Sequence, residues 1–381
     1  MLKDFLAGVR VLDLCQYIPG AYVTLILSDF GAEVIKVEPP AGDPLRHVHM
    51  SAFGAPEPAD GVSPFYRSAN GNKTVVIFDL KEKAQVAEFE ALVAVADVLL
   101  ESFRPGVFER LGLGRDRLRA INPRLVHCAF SGYGQTGPAR LKAGHDLNYM
   151  AMCGGLIGSG VAERPVITSP PVADNAGSMN AALTITAALH RAQRTGEGAY
   201  LDVSMAEPVL GWQIMGACQA QAIGREPDRA AGMLDGGTAY YQIYETEDGG
   251  FVTVAATEAK FWANLGAALG HPEWADRQND PVPQTDLIAE VAAVFKSRPR
   301  AHWEALLAEV DTCFQPVLTR QELLDDPHIR ARGMVVAHGG ANPYVEFLYP
   351  AWVDGTPPPP RAPFVEESRA RVLERWSVAA K

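Results

Sequence analysis

The chain has 381 residues, 48% hydrophobic and 21% charged, which is enough for two domains or one large domain with an insertion and excludes a disordered chain. Its formal net charge of -11 opposes nonspecific nucleic-acid binding, which relies on basic surface to neutralise phosphates. No segment has the continuous apolar length needed to cross a bilayer, so no membrane association is expected.

The opening "MLKDFLAGVRVLDL" lacks the layout of a secretory signal. "VRVLDL" (9–14) predicts a buried strand, and "IPGAYVTLILSDFGA" (18–32) a helix ending near Gly31. "EVIKVEPP" (33–40) and "KTVVIFDL" (73–80) continue as strands, and "KEKAQVAEFEALVAVA" (81–96) has helical spacing. "DVLLESF" (97–103) and "RLVHCAFSGYG" (124–134) extend the alternation. Strands alternating with helices predict an α/β fold, Rossmann-like, with a parallel sheet covered on both faces. The first turn, "CQYIPGAY", carries one glycine and no GxGxxG, so a classical dinucleotide site is not expected, and no GxxxxGK[ST] loop occurs.

Farther on, "GEGAYLDVSMAEPVLGWQIMGACQAQAIG" (196–224) reads as a strand running into a long apolar helix. "GGTAYYQIYETEDGGFVTVAAT" (236–257) predicts a β-hairpin turning at "TEDGG". Helical spacing returns over 258–270, 284–298 and 300–310. The expected organisation is a large α/β domain over 1–205, a linker helix over 206–224, a smaller α+β domain over 225–315, and a segment 316–381 returning to the large domain. The proline-rich "VDGTPPPPRAP" (353–363) reads as a surface arm that packing or another subunit must hold. Cys15, Cys128, Cys153, Cys218 and Cys313 form no CxxC pair and no Cys/His metal spacing. They read as buried, reduced thiols of a cytoplasmic protein with no metal site.

Two residues stand out as candidates for chemistry. His145 lies between Gly144 and Asp146 in "KAGHDLNYMAMCGG" (142–155). Asp174, in "RPVITSPPVADNAGSM" (164–179), precedes small residues that look like a helix start, where backbone N–H groups and the helix dipole favour a carboxylate. Taken alone, a plain N-cap is the commoner role for such an aspartate, and a structural role the commoner one for a lone histidine.

The surroundings of the pair carry a resemblance. "LAGVRVLDL…PGAYVTLILSDFGAEVIKVEPPAGDPLR", "NGNKTVVIFDLK", "ESFRPGVFERLGLG", "NPRLVHCAFSGYGQTGP", "HRAQRTGEGAYLDVSM" and "DTCFQPVLTRQELLDDPHIRARG" resemble, in order and almost end to end, the motifs of the class III CoA-transferase superfamily. That superfamily includes formyl-CoA transferases, carnitine CoA-transferases and α-methylacyl-CoA racemases. "AGHDLNY" with the later Asp174 is similar to the racemase branch, whereas transferases generally keep the aspartate and lack the histidine. The resemblance implies an acyl-CoA thioester substrate, no cofactor other than the coenzyme A of the substrate, and an interlocked homodimer.

Roles follow from the same resemblance. His145 and Asp174 are expected as an acid/base pair, Asp146 as a backbone donor to the enolate, and Glu258 as the residue orienting the histidine, supplied by the partner chain. Arg104 and Tyr149 are expected beside the CoA or the reacting centre. Lys36, Arg46, Lys73 and Lys142 are expected to meet the CoA phosphates. Inverting a carbon beside a thioester needs proton carriers on both faces, and imidazole and carboxylate can each hold the proton. A transferase, the alternative, needs one carboxylate to attack the thioester carbonyl. A CoA-binding subunit without activity is a third reading, which the presence of both residues opposes. Pro170 stands where racemases usually have Asn, and "EPPAGD" looks more like transferases. "LDGGTAYY", with only Gly236 and Gly237, lacks their glycine run.

Overall fold

Apolar residues run through β1 (Arg10–Leu14), β2 (Glu33–Glu38), β3 (Thr74–Ile77), β4 (Val98–Glu101), β5 (Val126–Ser131) and β6 (Ala199–Ser204). Such strands suit burial on both faces; all six residues of β5 are buried. In the computed structural model, which describes residues 2–378, they pair in parallel in the order β3-β2-β1-β4-β5-β6. The chain direction around the sheet reverses between β1 and β4, and ligands of such sheets bind outside the carboxyl ends of the strands near that reversal. The helix Tyr17–Asp29 and the long helix Val172–Thr195 share one core with the apolar side chains of β1, β4 and β5, including Val11, Val98, Cys128 and Phe130.

Two compact units make up the chain. The first comprises the residues up to Cys153, Pro170–Val209 and those from Asp326 onward. The second comprises Gly154–Ser169 and Leu210–Asp325, and so reaches beyond 225–315. Within it, the Arg229 side chain donates to the carbonyls of Ile157 (2.9 Å), Val161 and Ala162 (both 3.4 Å), which ties the 154–169 segment to the later chain. Its sheet is antiparallel: β7 (Tyr241–Glu245) and β8 (Phe251–Ala255) form the expected hairpin, and β9 (Phe314–Pro316) pairs with β8. Trp262, Trp274, Phe295 and Trp303 fill its core.

The linker helix expected over 206–224 is instead two helices, Glu207–Gly211 and Ile214–Ile223, separated at Trp212 and Gln213. No residue of Ile214–Ile223 is buried in the single chain, so Cys218 is exposed, contrary to the expectation for all five thiols. Cys15, Cys128 and Cys153 are buried and Cys313 is half-buried.

The proline-rich arm is anchored in the first unit. β10 (Val335–His338) and β11 (Tyr344–Phe347) form a hairpin that the sequence pattern did not reveal. Glu346 of β11 accepts from the Arg361 backbone N–H (2.9 Å), and the Arg361 guanidinium binds both carboxylate oxygens of Asp29 at 2.6 Å. The chain then adds β12 (Val365–Glu366) to the free edge of β3. Among the described residues no helix is long and apolar enough to cross a membrane.

Candidate active site

Beyond the carboxyl ends of the central strands lies a cleft of roughly 600 Å³, whose lining residues all belong to the first unit. His145, Asp174, Tyr149, Arg104 and Lys142 all line it. Two helix starts bring the first two there. His145 has extended backbone at the N-cap of the helix Asp146–Met152, and its N–H donates to the Asn148 side chain at 3.1 Å. Asp174 lies in the first turn of Val172–Thr195.

Asp146 joins these two starts. One of its carboxylate oxygens accepts the backbone N–H groups of Ala173 (2.7 Å) and Asp174 (3.2 Å), 27 and 28 positions along the chain. The long helix has Pro171 at its N-cap, a residue without a polar side chain, so its first N–H groups would otherwise lack partners. Asp146 is therefore a cap delivered from another helix. Farther along, the Ser178 hydroxyl, fully buried, is 2.7 Å from the carbonyls of both Asp174 and Pro19, holding the first turn to the helix Tyr17–Asp29.

This corrects the expected surroundings of Asp174. It is neither an N-cap nor stabilised by the N–H groups at the helix start, because Asp146 takes them. Among the described residues no hydrogen bond reaches its carboxylate. Burial, with Asp146 adding a like charge, pushes its pKa up to about 6, against the opposing pull of His145. A carboxyl raised in the folded state contributes stability fully below its unfolded value of about 4, and loses it as pH rises through about 6. We therefore expect Asp174→Asn to stabilise the protein at neutral pH. Two pK units correspond to about 2.7 kcal/mol, and partial solvent exposure reduces this to about 1 kcal/mol above pH 7. Thermal unfolding of both proteins across pH 4–8 checks this, with the difference vanishing near pH 4.

Tyr149 forms a wall of the cleft. It is buried, donates its hydroxyl to the Gly144 carbonyl at 2.6 Å and meets Tyr133 edge-on at 5.1 Å. Burial first, then Asp174, pushes its pKa up to about 12, so it acts as a fixed donor and not as an acid. A Cβ at Gly132 would lie 2.4 Å from the Tyr149 hydroxyl, and one at Gly144 2.6 Å from that of Tyr133, so both glycines are needed for this packing. Opposite, Tyr17 begins its helix with φ +63°, a left-handed conformation unusual for a bulky residue, and its N–H donates to Asp43 at 3.2 Å.

Arg104, Arg140 and Lys142 line the cleft, and Arg104 and Arg140 are shared with an adjoining opening that also contains Arg110. Arg110, Arg140, Tyr17 and Tyr133 escaped the sequence reading. The signal available for the arginines was their position just after β4 and β5, at the ligand-binding edge of the sheet.

The other expected phosphate anchors lie elsewhere. Lys36 and Lys73 are fully buried. Lys36 contacts Asp43 at 2.9 Å and donates to the Cys15 carbonyl at 2.8 Å. Lys73 donates to the Ala21 carbonyl (2.9 Å) and the Asn70 side chain (3.0 Å), with Asp13 at 3.4 Å. Arg46 is buried against Glu38 (2.6 Å) and Glu366 (2.8 Å), its guanidinium 4.2 Å from the centre of the Tyr66 ring. These three cations are paired with carboxylates of this chain, and Lys36 also holds the Cys15 carbonyl at the start of the loop that lines the cleft. Glu258 belongs to the second unit, where it is the exposed residue before the helix Ala259–Ala268. Among the described residues no group of three or more His, Cys, Asp or Glu side chains could hold a metal ion.

Comparison with known proteins places this architecture. The family model for CoA-transferase family III matches residues 6–367. The alpha-methylacyl-CoA racemase of Mus musculus is 34% identical over 88% of this chain and 83% of its own length. The acetyl-CoA:oxalate CoA-transferase of Acetobacter aceti is 32% identical over 87% of this chain and 86% of its own. A CAIB/BAIF family protein from Brucella suis superposes with a TM-score of 0.83 at 27% identity, covering 97% of this chain and 99% of that one. The chain belongs to CoA-transferase family III.

Proposed function

We propose that this protein is an acyl-CoA racemase or epimerase that inverts the α-carbon of a 2-methylacyl-CoA or a similar 2-substituted thioester. The observation that carries the reading is the contact of Asp146 with the start of Val172–Thr195, which holds His145 and Asp174 at two joined helix starts facing one cleft. Racemases stand among the relatives at 34% and 33% identity, which supports it further.

In this reading the thioester carbonyl points toward the backbone N–H of Asp146. That group is at the first helical position, where no intrahelical acceptor exists, and it stabilises the oxygen as it gains charge. One member of the pair takes the α-proton to form the enolate, and the other delivers a proton to the opposite face. With a pKa of about 6, Asp174 is ionised and ready as a base at neutral pH, yet basic enough to exchange the proton. Arg104, Arg110, Arg140 and Lys142 supply cations for the CoA phosphates. The crevice lined by Leu14, Val37, Phe78, Leu80 and Phe103 suits a flat base. An interlocked homodimer is part of the proposal. Exposed apolar side chains on Ile214–Ile223 and its approach, Trp212 at 62% and Ile214 at 69%, support burial by a second copy.

A second reading, CoA transfer through an acyl anhydride on Asp174, is favoured by the absence of hydrogen bonds to that carboxylate among the described residues, which leaves it free to attack. The test begins with sedimentation of the purified protein, expected at the dimer mass. A single-enantiomer 2-methylacyl-CoA is then incubated with it in deuterated water. Racemisation with α-deuterium in the recovered thioester is expected. Retained configuration without deuterium, with hydroxylamine trapping an acyl group on Asp174, would replace this reading with the transferase.

A further inference from the structure

A second cavity lies near the amino ends of β5 and β6, and the proposed reaction makes no use of it. The helix Arg115–Ile121 borders it, and Arg115 and Arg119 both line it, four positions apart. Among the described residues neither guanidinium has a carboxylate within 4.0 Å, whereas Arg117 on the same helix pairs with Glu90 through two bonds of 2.7 Å. Like charges at this spacing repel, and an anion between them would relieve that repulsion.

His127 sits beneath them. It is 6% exposed, lines the same cavity, and neither ring nitrogen has a hydrogen-bond partner among the described residues. Its Nε2 stands 4.0 Å from Glu101, beyond hydrogen-bond reach. Burial pushes Glu101 up to about 8, which weakens the pull of that side chain on the arginines. Tyr200 fixes the arrangement, with Arg115 5.0 Å from its ring centre and the His127 ring edge-on at 5.0 Å. An unpaired polar ring this deeply buried is costly unless a ligand satisfies it.

We propose that this cavity binds a phosphate-sized oxyanion, clamped by Arg115 and Arg119 and hydrogen-bonded by His127. Its solvent-accessible volume of about 40 Å³ matches three or so waters, or one tetrahedral oxyanion in their place. Guanidinium groups present paired donors to such an anion, and an imidazole donates at least one N–H. The anion is either free inorganic phosphate or the phosphate of a larger molecule such as CoA. The inference does not rest on the racemase reading.

Calorimetric titration of sodium phosphate into the full chain, in chloride buffer of constant ionic strength, tests it. A saturable site is expected that Arg119→Gln and Arg115→Gln each weaken at least tenfold. Both side chains are exposed, so the variants should fold. Arg117→Gln, which removes the same charge from the same helix, should bind phosphate as the wild type does. No saturable binding, or equal weakening by all three variants, would overturn the proposal. Repeating the titration with saturating CoA separates the sources: unchanged phosphate affinity supports an independent ion, and loss of phosphate binding supports a CoA phosphate in the cavity.

Discussion

His145→Ala is expected to abolish α-proton exchange, lowering kcat by about 10²–10⁴ while leaving KM for the thioester nearly unchanged. The ring is exposed in the cleft, and the His145 N–H is held by Asn148 and its carbonyl by the first turn of the helix whatever side chain stands there. The variant should therefore unfold at the wild-type temperature. Asp146 would still cap Val172–Thr195, and Asp174 would keep its place. A group acting only as a proton carrier contributes to the transition state and little to binding, hence the split between kcat and KM. Exchange followed by mass spectrometry in deuterated water reads the effect directly. Unchanged exchange in His145→Ala would remove the histidine from the reaction. If CoA transfer then survived in His145→Ala and vanished in Asp174→Ala, the transferase reading would take over.

The alternation of apolar runs with helical spacing made the parallel sheet legible, because each buried strand carries its own signal. Family motifs pointed to His145 and Asp174, which both line the cleft. The role of the Asp146 side chain was not legible, since its contact spans 27 residues and nothing in "HDLNY" points to a cap on a distant helix. A missing cap was visible in retrospect: "SPPVAD" starts a helix with no Ser, Thr, Asp or Asn at the N-cap. Two-residue β12 and the hairpin of β10 and β11 were too short to show a period, and long-range bonds of Arg361 hold that region. Reading Lys36 as a phosphate anchor failed for a simpler reason. Lys36 in "EVIKVE" and Asp13 in "VRVLDL" each sit between apolar residues, and in adjacent parallel strands the two fall in register. Opposite charges side by side in neighbouring buried strands attract one another, and Lys36 is drawn to Asp13 while its direct contact is Asp43.

Lys36→Met tests this reassignment through stability. The Lys36 ammonium has Asp43 at 2.9 Å and is drawn also to Asp13, and those contacts overcome burial to raise its pKa, so it stays charged in the core. Asp13 in turn accepts from the Cys15 N–H (2.9 Å) and the Thr24 hydroxyl (2.6 Å), and Asp43 from the N–H groups of Leu45 (2.9 Å) and Tyr17 (3.2 Å). Methionine fills nearly the same volume but takes from Asp43 its ammonium partner and leaves Asp13 with Lys73, whose own pKa burial has already pushed down to about 8. Breaking a buried pair from one side typically costs about 3–5 kcal/mol, because the remaining charge is left without compensation. The expected result is a large drop in unfolding temperature and loss of the Cys15 to Pro19 wall. Adding Asp43→Asn to Lys36→Met should recover part of the loss, since it removes the orphaned charge. An anchor for CoA phosphate would behave differently: Lys36→Met would raise KM for the acyl-CoA and leave the unfolding temperature unchanged. Calorimetry of the single and double variants, alongside KM, distinguishes a lattice of internal charges from a ligand contact.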